Sequence, residues 1–173
     1  MDRRTWLRRT LGVSAGVAVT GTAGTLAHIW VVRGTDVGGL TPAGKRLMAH
    51  MTRGVLSDFL AANVSQRAHL LGLAMASIEA GAVGLPRLVK WQLGGLLGAV
   101  NSPASRYALT GVSQPWDKLT DAEVAQALDR MRLSSDLPTL VAYKALRNLV
   151  CLQVFSDRGL QGALTPYPGP QDI

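Results

Sequence analysis

Few side chains in this sequence are of the types that bind metals or act as nucleophiles. The histidines are His28, His50 and His69, and the single cysteine is Cys151. His50 and His69 lie nineteen residues apart, and neither has a histidine or carboxylate three or four residues away, as a helical zinc or iron site needs. One cysteine also excludes an intrachain disulfide, a c-type haem attachment and a cysteine-ligated iron–sulfur cluster. The sequence therefore predicts no metal site.

Catalytic motifs are equally sparse. The nearest grouping is Tyr143, Arg147 and Asp157, which offers no obvious nucleophile or base. There is no Gly-x-Ser-x-Gly turn, no His-Glu-x-x-His pair, no phosphate-binding glycine loop and no dinucleotide fingerprint. We therefore predict no catalytic and no cofactor-binding residues, and an enzyme acting alone is the least favoured interpretation.

The strongest chemical signal is a pair of arginines near the amino terminus. Two arginines, one variable residue, a large apolar residue and leucine form the pattern of twin-arginine export signals. The chain matches it with Arg3, Arg4, Trp6 and Leu7, although Asp2 is unusual before the pair. This pattern predicts recognition by the twin-arginine translocation machinery and a periplasmic location.

The segment behind the arginines has no Asp, Glu, Lys or Arg for 23 residues, from Thr10 to Val32. That length is enough to span about 30 Å of hydrocarbon as a helix. Its many glycines and threonines make it only mildly hydrophobic, which favours a signal cleaved after Ala27 over a retained anchor in the inner membrane. Both alternatives stay open for residues 1–32.

The length and net charge limit the number of domains and the kinds of partner that the rest of the chain can have. The chain has 173 residues and a formal net charge of +7 at pH 7. Beyond a leader of this size there is room for one domain with one core. The Lys and Arg residues are scattered rather than clustered, so we expect no nucleic-acid partner.

Helical periodicity dominates the chain after the leader. The sequence predicts an all-α fold, a small helical bundle of about five to six helices behind the signal helix, without strands or internal repeats. The expected organisation is a linker over 33–40, a helical domain over 41–162 and an extended tail over 163–173. The helices themselves are expected at 42–62, 65–80, 85–100, 103–109, 120–131 and 136–155.

The last predicted helix, 136–155, is the most apolar and is expected at the centre of the bundle. Lys144, Arg147, Asn148 and Cys151 recur at helical spacing and form a narrow polar stripe along it. Two interpretations stay open. The stripe is either the solvated side of the helix or a strip that meets another protein.

The carboxy-terminal tail is rich in proline and glycine, so little of its backbone can enter a helix or a sheet. It contains Tyr167, Pro168, Gly169 and Pro170. A tail of this kind with one aromatic residue is typical of a segment that lies extended along a surface. That surface belongs either to its own domain or to a partner.

Together, these features resemble the small, gamma-type subunits of membrane-associated flavin dehydrogenases of the gluconate and sorbitol dehydrogenase type. The chain is most similar to the twin-arginine-leader companion proteins of glucose-methanol-choline oxidoreductases. The resemblance covers most of the chain and rests on residues 3–7, 40–43, 110–116, 143–149 and 167–170.

The resemblance implies a helical subunit without a cofactor of its own. It would bind an FAD-containing large subunit, support its maturation and escort it, already folded, through the twin-arginine pathway, and a cytochrome c subunit would be a further partner. The residues expected at the partner interface are Trp116, Tyr143, Arg147, Asn148, Tyr167, Pro168, Gly169 and Pro170. The alternative is a periplasmic binding or structural protein, tethered by residues 10–32, that has no redox partner.

Overall fold

The computed structural model describes residues 33–156. The export motif at Arg3, Arg4, Trp6 and Leu7 and the tail at 167–170 lie outside this range. The described part confirms the predicted all-α bundle, and the helix expected over 42–62 is interrupted at Leu56. Its elements are β1 (Thr35–Asp36), β2 (Gly39–Leu40), α1 (Pro42–Val55), α2 (Ser57–Ala62), a 3₁₀ turn (Val64–Gln66), α3 (Arg67–Val83), α4 (Arg87–Asn101), α5 (Pro103–Thr110), a second 3₁₀ turn (Trp116–Lys118), α6 (Asp121–Arg132) and α7 (Leu137–Ser156).

Residues 33–40, predicted as a linker, form a hairpin that packs against the helices. β1 and β2 are antiparallel, with Thr35 opposite Leu40. The amide of Gly34 donates a hydrogen bond to the carbonyl of Gly94 on α4, at 3.2 Å. This segment is therefore part of the domain. Glycine content alone cannot distinguish a flexible linker from a tight turn, since glycine is common in both.

Side-chain caps fix the starts of α1 and α6. α1 begins after Thr41, whose hydroxyl accepts a hydrogen bond from the amide of Gly44 at 3.1 Å. α6 begins with a reciprocal capping box between Thr120 and Glu123. Thr120 Oγ1 accepts from the amide of Glu123 at 3.3 Å, and Glu123 Oε2 accepts from the amide of Thr120 at 2.7 Å. These bonds satisfy amides that the helices cannot pair internally.

α1, rather than the last helix, occupies the centre of the bundle. It contacts α3, α4, α6 and α7, and Leu47, Met48 and Met51 are buried in its middle. α7 packs against α1, α3 and α6 with one side only. The prediction of a central last helix was wrong because apolar residues also occupy its exposed side, so composition did not reveal which side was covered.

α4 has one buried and one exposed side. Leu97, Ala99 and Val100 are buried, whereas Leu88 and Trp91 are exposed near its start. Within residues 33–156, no helix is both long and apolar enough to cross a membrane.

Candidate partner-binding surface

The polar stripe predicted on the last helix lies on the exposed side of α7. The opposite side packs into the core through Ala142, Leu146, Val150 and Val154. We call the exposed side the α7 outer face, which consists of Lys144, Arg147, Asn148, Cys151, Leu152 and Phe155. It contains the whole stripe, and its last turns are apolar. The stripe is thus at the surface, as both interpretations of it require.

A side-chain cap marks the start of α7. Asp136 Oδ2 accepts hydrogen bonds from the amide and the hydroxyl of Thr139, at 3.1 and 2.6 Å. Thr139 is itself buried. Because Asp136 and Thr139 belong to the same segment, these bonds fix the start of α7, and the buried Thr139, Ala142 and Leu146 mark the side of the helix that faces the core.

The apolar end of the outer face is a shallow depression of about 340 Å³. Asn148, Cys151, Leu152, Phe155 and Ser156 line it. Leu152 keeps 58% of its surface exposed. Covering such a side chain with a partner removes apolar area from water, at about 25 cal/mol per Å². The depression is therefore suited to receive an apolar side chain of another molecule.

The polar end of the outer face borders a charged cleft of about 240 Å³. The cleft lies where the junction of α1 and α2 meets α6 and α7. Two carboxylates, a guanidinium and a phenol share it, and its lining residues are Gly54, Val55, Ser57, Asp58, Ala125, Leu128, Asp129, Tyr143 and Arg147. Such a set presents hydrogen-bond donors and acceptors side by side, which suits a peptide segment with a charged side chain.

Of the predicted interface residues, Tyr143, Arg147 and Asn148 lie on α7 and border two separate sites, and Tyr143 also packs partly against the core. Tyr143 and Arg147 line the charged cleft, and Asn148 lines the apolar depression one turn further along α7. Sequence reasoning missed Asp58 and Asp129, which reach the cleft from α2 and α6. No local spacing could have found them, since only tertiary packing brings three helices together.

Leu152 and Phe155 were also missed as surface residues. Both are exposed on the last turns of α7. They lie one helical step beyond Asn148 and Cys151, so the stripe extended by one turn would have included them. Apolar residues occur on several sides of this helix, so the sequence did not show which of them are exposed.

Trp116, predicted to contact a partner, is a core residue. Only 3% of its surface is exposed, and its indole N–H donates to the carbonyl of Val100 at 3.0 Å. A buried tryptophan with its one donor satisfied has no surface to offer a partner. The prediction for this residue was wrong, because an aromatic residue in a polar loop has the same local sequence whether it points in or out.

A buried arginine explains the unusual segment that leads to Trp116. Arg106 is 4% exposed, and its guanidinium donates to the carbonyls of Asn101 (3.2 Å), Val112 (3.4 Å) and Ser113 (2.9 Å). Burial lowers the pKa of Arg106 from its ordinary value, yet arginine stays protonated. The segment 110–116 is therefore held from inside by this guanidinium.

The charged groups between α1, α3 and α6 form a second polar cluster. Asp121 pairs with Arg67 and, at 3.6 Å, with Arg53. Burial lowers the pKa of the neighbouring His50, and the positive charge of Arg53 lowers it further. The negative charge of Asp117 acts in the opposite direction and raises this pKa. Across residues 33–156, no cluster of three histidine, cysteine or acidic side chains could hold a metal ion.

The sequence matches no protein-family model. Searches of curated proteins and of solved structures found no match either.

Proposed function

We propose that this chain is a non-catalytic accessory subunit that binds a flavin-dependent alcohol or sugar dehydrogenase. It escorts the folded dehydrogenase through the twin-arginine pathway to the periplasm and supports its maturation. In this proposal the FAD belongs to the large subunit, and a cytochrome c subunit is a further partner. The carrying observation is that Arg147 and Asn148, assigned to the interface by the resemblance, lie on the α7 outer face with the exposed Leu152, and that Tyr143, assigned in the same way, lines the adjoining cleft with Arg147.

The composition of this surface supports a protein partner. The depression at Cys151, Leu152 and Phe155 is apolar, whereas the adjoining cleft carries Asp58 and Arg147. Protein interfaces combine an apolar centre with a polar rim, and tyrosine and arginine are frequent among their strongest contacts. The α7 outer face and its cleft together offer both kinds of surface.

The amino-terminal export signal explains why a flavoprotein would bind this chain. Flavin is inserted in the cytoplasm, so a flavoprotein must cross the membrane already folded, and the twin-arginine route carries folded cargo. A large subunit without its own signal would cross while bound to this chain through the α7 outer face. Arg3 and Arg4 would then direct the export of both subunits.

A matched pair of leucine variants tests the binding surface. Leu152 lies on the α7 outer face with 58% exposure, and Leu133 lies just after α6 with 72% exposure. We expect Leu152→Asp to weaken copurification of a co-expressed, signal-less glucose-methanol-choline dehydrogenase by about tenfold or more, because it places a charge in the apolar contact. Leu133→Asp should leave copurification unchanged. Equal loss in both variants, or in neither, contradicts the assigned surface.

The single cysteine provides an independent reading of the same contact. Cys151 is half-buried and lines the apolar depression. We expect its alkylation rate to fall by about tenfold in the complex with the dehydrogenase, because the partner covers the depression. An unchanged rate in a complex that still copurifies would place the interface elsewhere on the domain.

Export of the partner tests the escort role itself. Replacing Arg3 and Arg4 with lysine should leave the co-expressed dehydrogenase in the cytoplasm, whereas the unchanged chain carries it to the periplasm with its flavin. The matched control replaces Arg8 and Arg9, which lie outside the pair. A dehydrogenase that reaches the periplasm with flavin regardless of Arg3 and Arg4 rules out the escort role. If native membranes also yield no flavoprotein bound to this chain, the tethered binding protein is favoured.

A further inference from the structure

We infer that the face formed by the hairpin and the start of α4 docks onto an anionic membrane surface. This face, the hairpin patch, consists of Arg33, Val37, Arg87, Leu88, Lys90 and Trp91. It lies on different elements from the α7 outer face, so the inference goes beyond the proposed function. It rests on the retained-anchor alternative for residues 10–32 and not on the proposed function.

The members of the hairpin patch are held together by specific contacts. The guanidinium carbon of Arg33 lies 5.8 Å from the centroid of the Trp91 ring, within the range of a cation–π contact. Lys90 Nζ donates to the carbonyl of Val37 at 2.9 Å. The hydroxyl of Thr35 donates to the carbonyl of Lys90 at 2.5 Å. The hairpin and the start of α4 therefore form one continuous surface.

The patch has the composition of a membrane-interface site. Val37, Leu88 and Trp91 are exposed, and 67% of the Leu88 surface is open to water. Tryptophan is enriched at the boundary between hydrocarbon and headgroups, where its ring is apolar and its N–H is polar. Exposed apolar side chains beside it can enter the headgroup region, as they do in interfacial helices.

Charge complementarity favours lipid headgroups that carry phosphate. Residues 33–40 and 85–91 contribute three cations, Arg33, Arg87 and Lys90, against one carboxylate, Asp36. Asp36 Oδ1 already accepts a hydrogen bond from the amide of Gly38 at 2.8 Å. Basic residues near an anionic bilayer each raise the affinity by about fivefold at physiological ionic strength.

The position of the patch along the chain fixes its orientation. The uncharged segment ends at Val32, and Arg33 is both the next residue and a member of the patch. Successive Cα atoms are about 3.8 Å apart. When residues 10–32 lie in the bilayer, Arg33 must therefore lie at headgroup depth, and the patch that contains it faces the membrane.

The test measures which face of the full chain touches lipid. Two single-cysteine chains, Leu88→Cys and Leu133→Cys, are made in a Cys151→Ser background and labelled with an environment-sensitive fluorophore. Leu88 and Leu133 are both exposed leucines, with 67% and 72% of their surfaces open. The labelled chains are reconstituted into phosphatidylglycerol-containing vesicles that carry nitroxide-labelled lipids.

We expect the label at position 88 to be quenched at least about twofold more than the label at position 133. The difference should shrink in phosphatidylcholine vesicles and in an Arg87→Gln chain, because both changes remove the attraction to anionic headgroups. Equal quenching at the two positions overturns the inference, and so does a chain that fails to float with the vesicles. Protection of position 88 only after the dehydrogenase is added also overturns it, since the patch would then be a protein interface.

The two proposals fail separately. Equal quenching with intact export of the dehydrogenase removes membrane docking and leaves the escort role. Selective quenching at position 88, with export independent of Arg3 and Arg4, removes the escort role and leaves membrane docking.

Discussion

Replacing Gly44 with alanine tests how the amino-terminal hairpin is attached to the bundle. A Cβ atom at Gly44 would lie 2.7 Å from the carbonyl carbon and 2.9 Å from the Cα of Gly34. These are backbone atoms, so they cannot rotate away as a flexible side chain could. The matched control is Gly72→Ala in α3, where a Cβ would meet nothing within 4 Å.

The contacts of Gly34 set the size of the effect. Its amide donates to the carbonyl of Gly94 at 3.2 Å, and its carbonyl accepts from the amide of Thr41 at 3.0 Å. Moving Gly34 away from a new methyl group strains or breaks both bonds, at about 0.5–1.5 kcal/mol each. Overpacking adds about 1–3 kcal/mol to the loss of stability. The better helix propensity of alanine offsets about 0.5–1 kcal/mol of this loss. These terms give a net loss of about 1–5.5 kcal/mol, and we expect a value in the middle of that range, about 2–4 kcal/mol.

Urea unfolding followed by far-ultraviolet circular dichroism measures both variants under one condition. We expect Gly44→Ala to lower the free energy of unfolding by about 2–4 kcal/mol, which corresponds to a fall in Tm of about 10 °C. Gly72→Ala should raise it by about 0.5–1 kcal/mol, because an exposed helical glycine gives up conformational entropy without packing in return. A Gly44→Ala variant as stable as the parent would refute the close packing of the hairpin on α1.

Three further substitutions test the interior and the helix caps. Trp116→Ala should lower the free energy of unfolding by about 3–5 kcal/mol in urea, whereas a surface tryptophan would change it little. Arg106→Met should lower it by about 2–4 kcal/mol, since three inward-facing carbonyls lose their donor, and faster amide exchange over 111–115 would locate the damage. Hydrogen bonds from the amide and hydroxyl of Thr120 hold the pKa of Glu123 below its ordinary value. The stability that Glu123 contributes is therefore complete above its unfolded pKa of about 4.3 and is lost as pH falls through its lower folded pKa. Urea titrations between about pH 5 and pH 3 should show a shallower loss of stability for Glu123→Gln than for the parent chain, and parallel curves would contradict the capping contact.

Local sequence patterns predicted most of the fold in the described range. The all-α class and the start of α6 depend on short-range physics, namely helical periodicity and the reciprocal bonds of Thr120 and Glu123. The break at Leu56 and the docked hairpin were not predicted. The hairpin depends on contacts between residues that are distant in the chain, as the bond from Gly34 to Gly94 illustrates.

The candidate site was predicted in part, for the same reason. Tyr143 and Arg147 lie four residues apart on α7, so their place in one cleft follows from helical spacing, whereas Asn148 lies on another side of the helix from Tyr143 and lines the apolar depression. Asp58 and Asp129 reach the cleft from other helices, and no spacing rule connects them to α7. The partner, the export route and the membrane contact stay proposals that the experiments above address.

The sequence by itself determined which segments are helical and where their polar stripes lie, because backbone propensity and capping act within a few residues. Only the tertiary structure decided which side of each helix is covered. α7 carries apolar residues on both sides, yet Leu146 is buried and Leu152 is exposed. Trp116 lies in a loop whose sequence suits the surface, yet its side chain is in the core. Its indole N–H donates to the carbonyl of Val100, and the buried guanidinium of Arg106 donates to the carbonyl of Ser113 in the same loop. Burial is a collective property of packed helices, so local sequence alone could not assign it.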